Sequence, residues 1–151
     1  MIAGRKTTPY GQLLETLLQQ RAVTDRVIMP GEVSDGDRQW LYEHCEAFLF
    51  PSLTEGFGFP VLEAMQCGKP VFMSRATSLP EIGGECGFYF GSYDGRHMAE
   101  VFTTGMKLFQ SDPTFPDRCR RQADSFTWRT AAEKYAALYD AICRRSKHAA
   151  G

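Results

Sequence analysis

The sequence predicts an α/β domain built on a parallel sheet. Two observations carry this. Short apolar runs, such as Ala47–Phe50, Pro70–Met73 and Phe88–Phe90, have the length and composition of buried strands. Between them lie longer segments with apolar residues at helical spacing, and strands alternating with helices imply a parallel sheet.

The opening Ile2-Ala3 reads as the end of a strand, with Gly4 turning out of it. Pro9 and Gly11 lead into a helix over Gln12 to Arg21, with Leu13, Leu14, Leu17 and Leu18 on one face. Arg26–Met29 reads as a short strand that Pro30-Gly31 ends. Ser34 is placed to cap the next helix, and Asp35 and Asp37 suit its first turn. That helix is expected to reach about Cys45, with Trp40 and Leu41 inward.

After the strand at 47–50 comes a loop rich in glycine, then a helix from near Phe59 to Gly68. Pro70–Met73 is the next strand. Ser78–Ile82 reads as one helical turn with Ser78 as its cap and Pro80 early in it. Long helices are expected over Gly95 to Phe109, from Asp112-Pro113 to Asp124, and after Thr127, which caps the last. The inward face of the last helix is read as Ala131 or Ala132, Tyr135, Leu138, Tyr139 and Ile142. The domain is taken as residues 1–143, with 144–151 a basic, disordered tail.

Composition narrows the function. The 151 residues suit one domain with a real core. A formal net charge of −1 gives no general attraction to nucleic acid. No apolar run approaches the roughly 20 residues that span a bilayer, and no signal-peptide pattern opens the chain. The five cysteines are spread out without a C-x-x-C pair, which argues against a zinc site or disulfide framework and fits a reducing compartment. His44, His97 and His148 are isolated and read as surface or packing residues. The expected location is the cytoplasm, with the basic tail as the feature able to reach an anionic inner membrane face.

The stretch with chemistry in it is Pro51–Met65. It leaves the carboxyl end of a strand, the edge where ligands bind in such sheets. Gly56 and Gly58 let a ligand approach the backbone, and the N–H groups at the start of the following helix favour an anion such as a diphosphate. Glu55 and Glu63 flank the loop with seven residues between them. An ionised carboxylate only accepts hydrogen bonds, so Glu63 suits vicinal ribose hydroxyls. Glu55 suits a sugar hydroxyl or positive charge developing at an anomeric carbon. Phe57 and Phe59 either stand at the loop tip for a reason or fold back onto the core. On spacing alone the loop reads more readily as a solvated turn than as a site.

Pro-Ser-Leu-Thr-Glu-Gly-Phe-Gly-Phe-Pro-Val-Leu-Glu-Ala-Met over 51–65, followed by Cys67-Gly68-Lys69-Pro70-Val71, resembles the signature of the retaining group 1 (family 4) glycosyltransferases. Ile2–Lys6, Asp25–Ile28, Gly31–Asp35, Ser78–Glu81 and Phe126–Trp128 look like that family's landmarks in its order, so the resemblance covers nearly the whole chain. It implies the Rossmann-like, donor-binding C-terminal domain of the GT-B fold. By that resemblance Glu63 binds the ribose, and Gly56, Phe57, Gly58 and Phe59 present backbone to the diphosphate and donor sugar. Glu55 contacts the transferred sugar, and Val33 contacts the base through its backbone. Asp35 and Arg38 lie near that pocket, and Arg5 and Lys6 near the phosphates.

The resemblance further implies hexosyl transfer from a nucleotide-diphosphate sugar to a glycan or lipid-linked acceptor, with retention and without a metal or other cofactor. The chain looks like the last two-fifths of such an enzyme, without the acceptor domain or the donor domain's first strand and helix. The expectation is therefore little or no activity alone. In the doubly wound order the missing strand is central. The first strands are then expected to pair with Phe48–Phe50, or a second copy to cover that edge. The alternative reading is a non-catalytic module that binds a nucleotide or works through association. A sugar epimerase of related fold is disfavoured by the Glu55/Glu63 pattern.

Overall fold

A computed structural model describes residues 1–149, with side chains described through Arg144. The backbone divides into two units, Met1–Leu41 and Tyr42–Gly151.

In the first unit, α1 spans Pro9–Gln20. It starts three residues earlier than the sequence suggested. Thr8 caps it by accepting from the Gly11 amide at 3.0 Å, and Pro9 at the first position loses no hydrogen bond there. Gly11 has to be small: a Cβ there would stand 2.6 Å from the Arg5 and Lys6 carbonyl oxygens. Leu14 and Leu18 are half-buried, while Leu13 and Leu17 stay exposed. Arg26–Met29 does not form a regular strand. The pairing reduces to an isolated parallel bridge, Ala3 with Gly31, flanked by the Ile2 amide on the Ile28 carbonyl at 2.8 Å. Pro30 has no N–H to extend it.

The second helix, α2 (Asp35–His44), begins in this unit, and Ser34 caps it as read. The Asp37 amide donates to the Ser34 hydroxyl at 3.1 Å, and the Ser34 amide donates back to the Asp37 carboxylate at 3.3 Å. Trp40, read as inward, is exposed.

The second unit holds a three-stranded parallel sheet in the order β1 (Phe48–Phe50), β2 (Val71–Ser74), β3 (Gly87–Phe90). Phe48 pairs with Val71 and Val71 with Gly87. β2 is central, so it is buried on both faces and reads as a continuous apolar run. The other edge of β1 carries no strand among the described residues of the sheet.

Helices α3 (Phe59–Gln66), α4 (Leu79–Gly83), α5 (Gly95–Ser111), α6 (Phe115–Asp124) and α7 (Trp128–Ala149) complete the unit, with a 3-10 turn at Gly84–Cys86. Val71 and Met73 join Val61, Met65, Leu79, Ile82, Phe115 and Cys119 in one core cluster. Phe72 points the other way in the strand alternation, against Phe88 at 4.8 Å and Phe102 of α5 at 4.9 Å between ring centres. Gly68 ends α3 at φ 72°, where its amide bonds Met65 and that of Lys69 bonds Ala64, the pairing of a Schellman stop.

Two readings of α7 change. Thr127 caps it as read, accepting from the Thr130 amide at 3.0 Å. Tyr135, Leu138, Tyr139 and Ile142, read as its inward face, are each more than half exposed. The helix also continues across the residues read as a tail, to Ala149; Ala150 and Gly151 lie outside the described residues.

Candidate functional site

The loop between β1 and α3 is fixed from the strand edge beside it. β1 and β2 are parallel neighbours, so the segments leaving their carboxyl ends meet. The Ser74 hydroxyl, 2% exposed, donates to the Ser52 carbonyl at 2.5 Å. The Tyr93 hydroxyl, from the segment after β3, donates to the same carbonyl at 3.1 Å. Further along, the Glu55 amide donates to the Thr77 hydroxyl at 3.1 Å. The Ser78 hydroxyl donates to the Phe57 carbonyl at 2.5 Å, with the Glu55 carbonyl 3.4 Å away.

Ser78 therefore does not cap α4, contrary to the sequence reading. It occupies the cap position without a cap hydrogen bond, and its hydroxyl is spent on the loop.

Gly58 enters α3 at φ 116°, a conformation that L side chains rarely adopt. Among the described residues the amides of Gly56, Phe57, Gly58 and Phe59 donate no hydrogen bond. The first turn of α3 contains no acidic residue, so its partial positive charge is not offset by the helix's own side chains. A Cβ on Gly56 would meet nothing within 4 Å, so that side of the loop is open.

Phe57 and Phe59 part company. Phe57 is half-buried, lies against the core cluster and stacks edge-on to Phe126 at 5.9 Å. Phe59 packs beside Phe57 at 4.7 Å but stays 51% exposed. Glu55 is half-buried at the head of the loop. Glu63 is half-buried in the second turn of α3, between the buried Leu62 and Ala64.

Glu55, Gly56, Phe57, Gly58, Phe59 and Glu63 thus belong to one strand–loop–helix of the second unit. Arg5, Lys6 and Val33 belong to the first. There the Arg5 guanidinium pairs with Glu32 at 2.8 Å; that hydrogen bond raises its pKa. The Lys6 ammonium lies 3.7 Å from Glu15. Val33 is half-buried just ahead of the Ser34 cap, and Arg38 pairs with Asp35 at 3.1 Å one turn on. Both candidate phosphate cations therefore already face carboxylates.

Thr77 and Tyr93 were not singled out from sequence, and Ser78 was given another role. Their position directly after β2 and β3 was the available signal, since those strands share the ligand edge with β1. Among the described residues no cluster of three His, Cys, Asp or Glu is placed to hold a metal ion. No helix among them is long and apolar enough to cross a membrane.

Comparison with known proteins shows the family and the fold. The family model for glycosyl transferases group 1 matches residues 1–125. Over 57 residues, 38% of the chain, the sequence is 53% identical to the O-antigen chain mannosyltransferase B of Escherichia coli. Over 144 residues, 93% of the chain, it is 31% identical to the MMP alpha-(1->4)-mannosyltransferase of Mycolicibacterium hassiacum. The aligned parts make up 15% and 35% of those two relatives. Among solved structures, Anabaena Alr3699/HepE, crystallised in complex with UDP and glucose, superposes with a TM-score of 0.76 at 23% identity. The match covers 92% of this chain and 39% of that one. The chain belongs to the group 1 glycosyltransferases, and its parallel α/β fold is the Rossmann-like fold of GT-B enzymes.

Proposed function

We propose that this chain is the donor-binding part of a retaining glycosyltransferase that takes a hexose from a nucleotide-diphosphate sugar. The observation that carries the reading is the run of unpartnered amides from Gly56 to Phe59 at the head of α3, in a first turn without carboxylates. Those amides would receive the diphosphate, Glu63 the ribose hydroxyls, and Glu55 the transferred sugar. Family membership supports transfer, and the mannosyltransferase relatives favour a hexose. The UDP and glucose held by Alr3699/HepE, on a similar fold, favour a nucleotide-sugar.

In this reading the bond from the anomeric carbon to the diphosphate oxygen breaks. The acceptor oxygen then bonds to that carbon on the same face. Its proton passes to the departing diphosphate, so no protein base and no metal is required. Glu55 would favour the positive charge that builds on the sugar between the two events. Arg5 and Lys6 enter as weaker phosphate ligands than the resemblance implied, because Glu32 and Glu15 already offset their charge.

Calorimetric titration with UDP, GDP and their hexose derivatives tests this. Saturable binding that Glu63→Ala abolishes is the expected result. No binding of any of the four would overturn it in favour of a structural module.

A further inference from the structure

Resting on the donor reading above, we infer that Ser78 and Thr77 are positioning residues that aim the loop amides at the diphosphate. In a trans peptide the carbonyl and the following N–H point in opposite directions. The Phe57 carbonyl shares its peptide with the Gly58 amide, and the Glu55 carbonyl shares its peptide with the Gly56 amide. A Ser hydroxyl has one hydrogen to give. That of Ser78 goes to the Phe57 carbonyl at 2.5 Å, with the Glu55 carbonyl the lesser partner at 3.4 Å. Holding these carbonyls on the α4 side turns the Gly56 and Gly58 amides away from it. Those are among the amides that have no partner.

Thr77 completes the hold by accepting the Glu55 amide at 3.1 Å. Its backbone sits at φ 50°, a conformation rare for a β-branched residue. Ala22 is the only other non-glycine residue with positive φ among those described, and it lies in the turn after α1. A strained threonine whose hydroxyl fixes the residue at the head of the loop is strain kept where geometry is needed. The clamp thus takes up the amide at position 55 and the carbonyl at 57, and leaves the amides at 56, 57, 58 and 59 for a ligand.

The test pairs calorimetry on GDP and UDP with thermal unfolding of the 151-residue chain. Ser78→Ala and Thr77→Gly are each expected to weaken nucleotide binding roughly fivefold, the loss of one net hydrogen bond. Thr77→Ser keeps the hydroxyl and is expected to bind as wild type. Glycine relieves the strain at position 77, so Thr77→Gly is expected to unfold at or above the wild-type temperature while binding less. A merely structural role would move both readouts the same way.

Wild-type binding that Ser78→Ala and Thr77→Gly leave unchanged overturns this inference alone. A wild-type chain that binds neither nucleotide overturns the donor reading and the inference with it.

Discussion

A Cβ built on Gly58 would stand 2.7 Å from Cδ2 of Leu79, and Ile82 Cδ1 lies 3.3 Å away on the same side. Leu79 and Ile82 are 0% and 1% exposed, so neither has room to give. The backbone at 58 also sits at φ 116°. Gly58→Ala therefore combines backbone strain with overpacking. It is expected to cost about 1–3 kcal/mol in a urea unfolding curve. Gly56→Ala, with open space at its Cβ, should cost less than half as much. Equal losses at the two positions would refute the packing argument.

Two leucines separate what helical periodicity indicates from what the fold buries. Leu79 is fully enclosed in the core, and Leu138 on α7 is 52% exposed. Leu79→Ala is expected to cost about 2–5 kcal/mol through lost burial and the cavity left behind. Leu138→Ala should stay within about 0.5 kcal/mol. Thermal unfolding of both variants checks this, and a large loss at 138 would show that something covers α7.

Burial sets an alkaline limit. Cys119 is 0% exposed, and desolvation, reinforced by neighbouring Cys86, pushes its thiol up from 9.0 to about 12. Between those values the unfolded chain has lost the proton while the folded chain keeps it. The unfolded state binds fewer protons over that window, so stability falls as the pH rises from 9 toward 12. The predicted signature is a steeper decline in the wild type than in Cys119→Ala. Denaturant curves at stepped pH measure it, and parallel slopes would contradict it.

Local chemistry was legible in the sequence and long-range partnership was not. Gly68, Ser34 and Thr127 were read correctly because a helix stop or cap involves residues within one turn. The strand, loop and helix from Phe48 to Gln66 followed from apolar length and glycine placement alone. Ser78 was misread because its acceptor at Phe57 lies 21 residues back, across the edge of the sheet. Phe57 and Phe59 look alike in sequence, and only Phe126 arriving from the far end of the chain decides which one is covered. For α7, the spacing of Tyr135, Leu138 and Ile142 fixes an apolar face but says nothing about a neighbour. The ion pairs of Arg5 and Lys6 were not legible, because their partners, Glu32 and Glu15, come from separate turns of the chain.

The division of labour proposed for the two glutamates is testable in the ligand rather than the protein. The Glu55 amide is held by the Thr77 hydroxyl, and its carbonyl lies 3.4 Å from the Ser78 hydroxyl. Its carboxylate lies at the head of the loop, two turns of chain ahead of Glu63 on α3. If Glu63 takes the ribose, Glu63→Gln should weaken the bare nucleotide and the nucleotide-sugar alike. A charged hydrogen bond of about 1.5–3 kcal/mol corresponds to a loss of roughly 10- to 150-fold. If Glu55 takes the sugar, Glu55→Gln should weaken the nucleotide-sugar by a similar factor while shifting the bare nucleotide far less. Paired titrations of GDP against a GDP-hexose, and of UDP against a UDP-hexose, give the two ratios directly. Equal losses for both ligands at Glu55 would assign it to the nucleotide instead, and no loss for either would leave its carboxylate facing solvent.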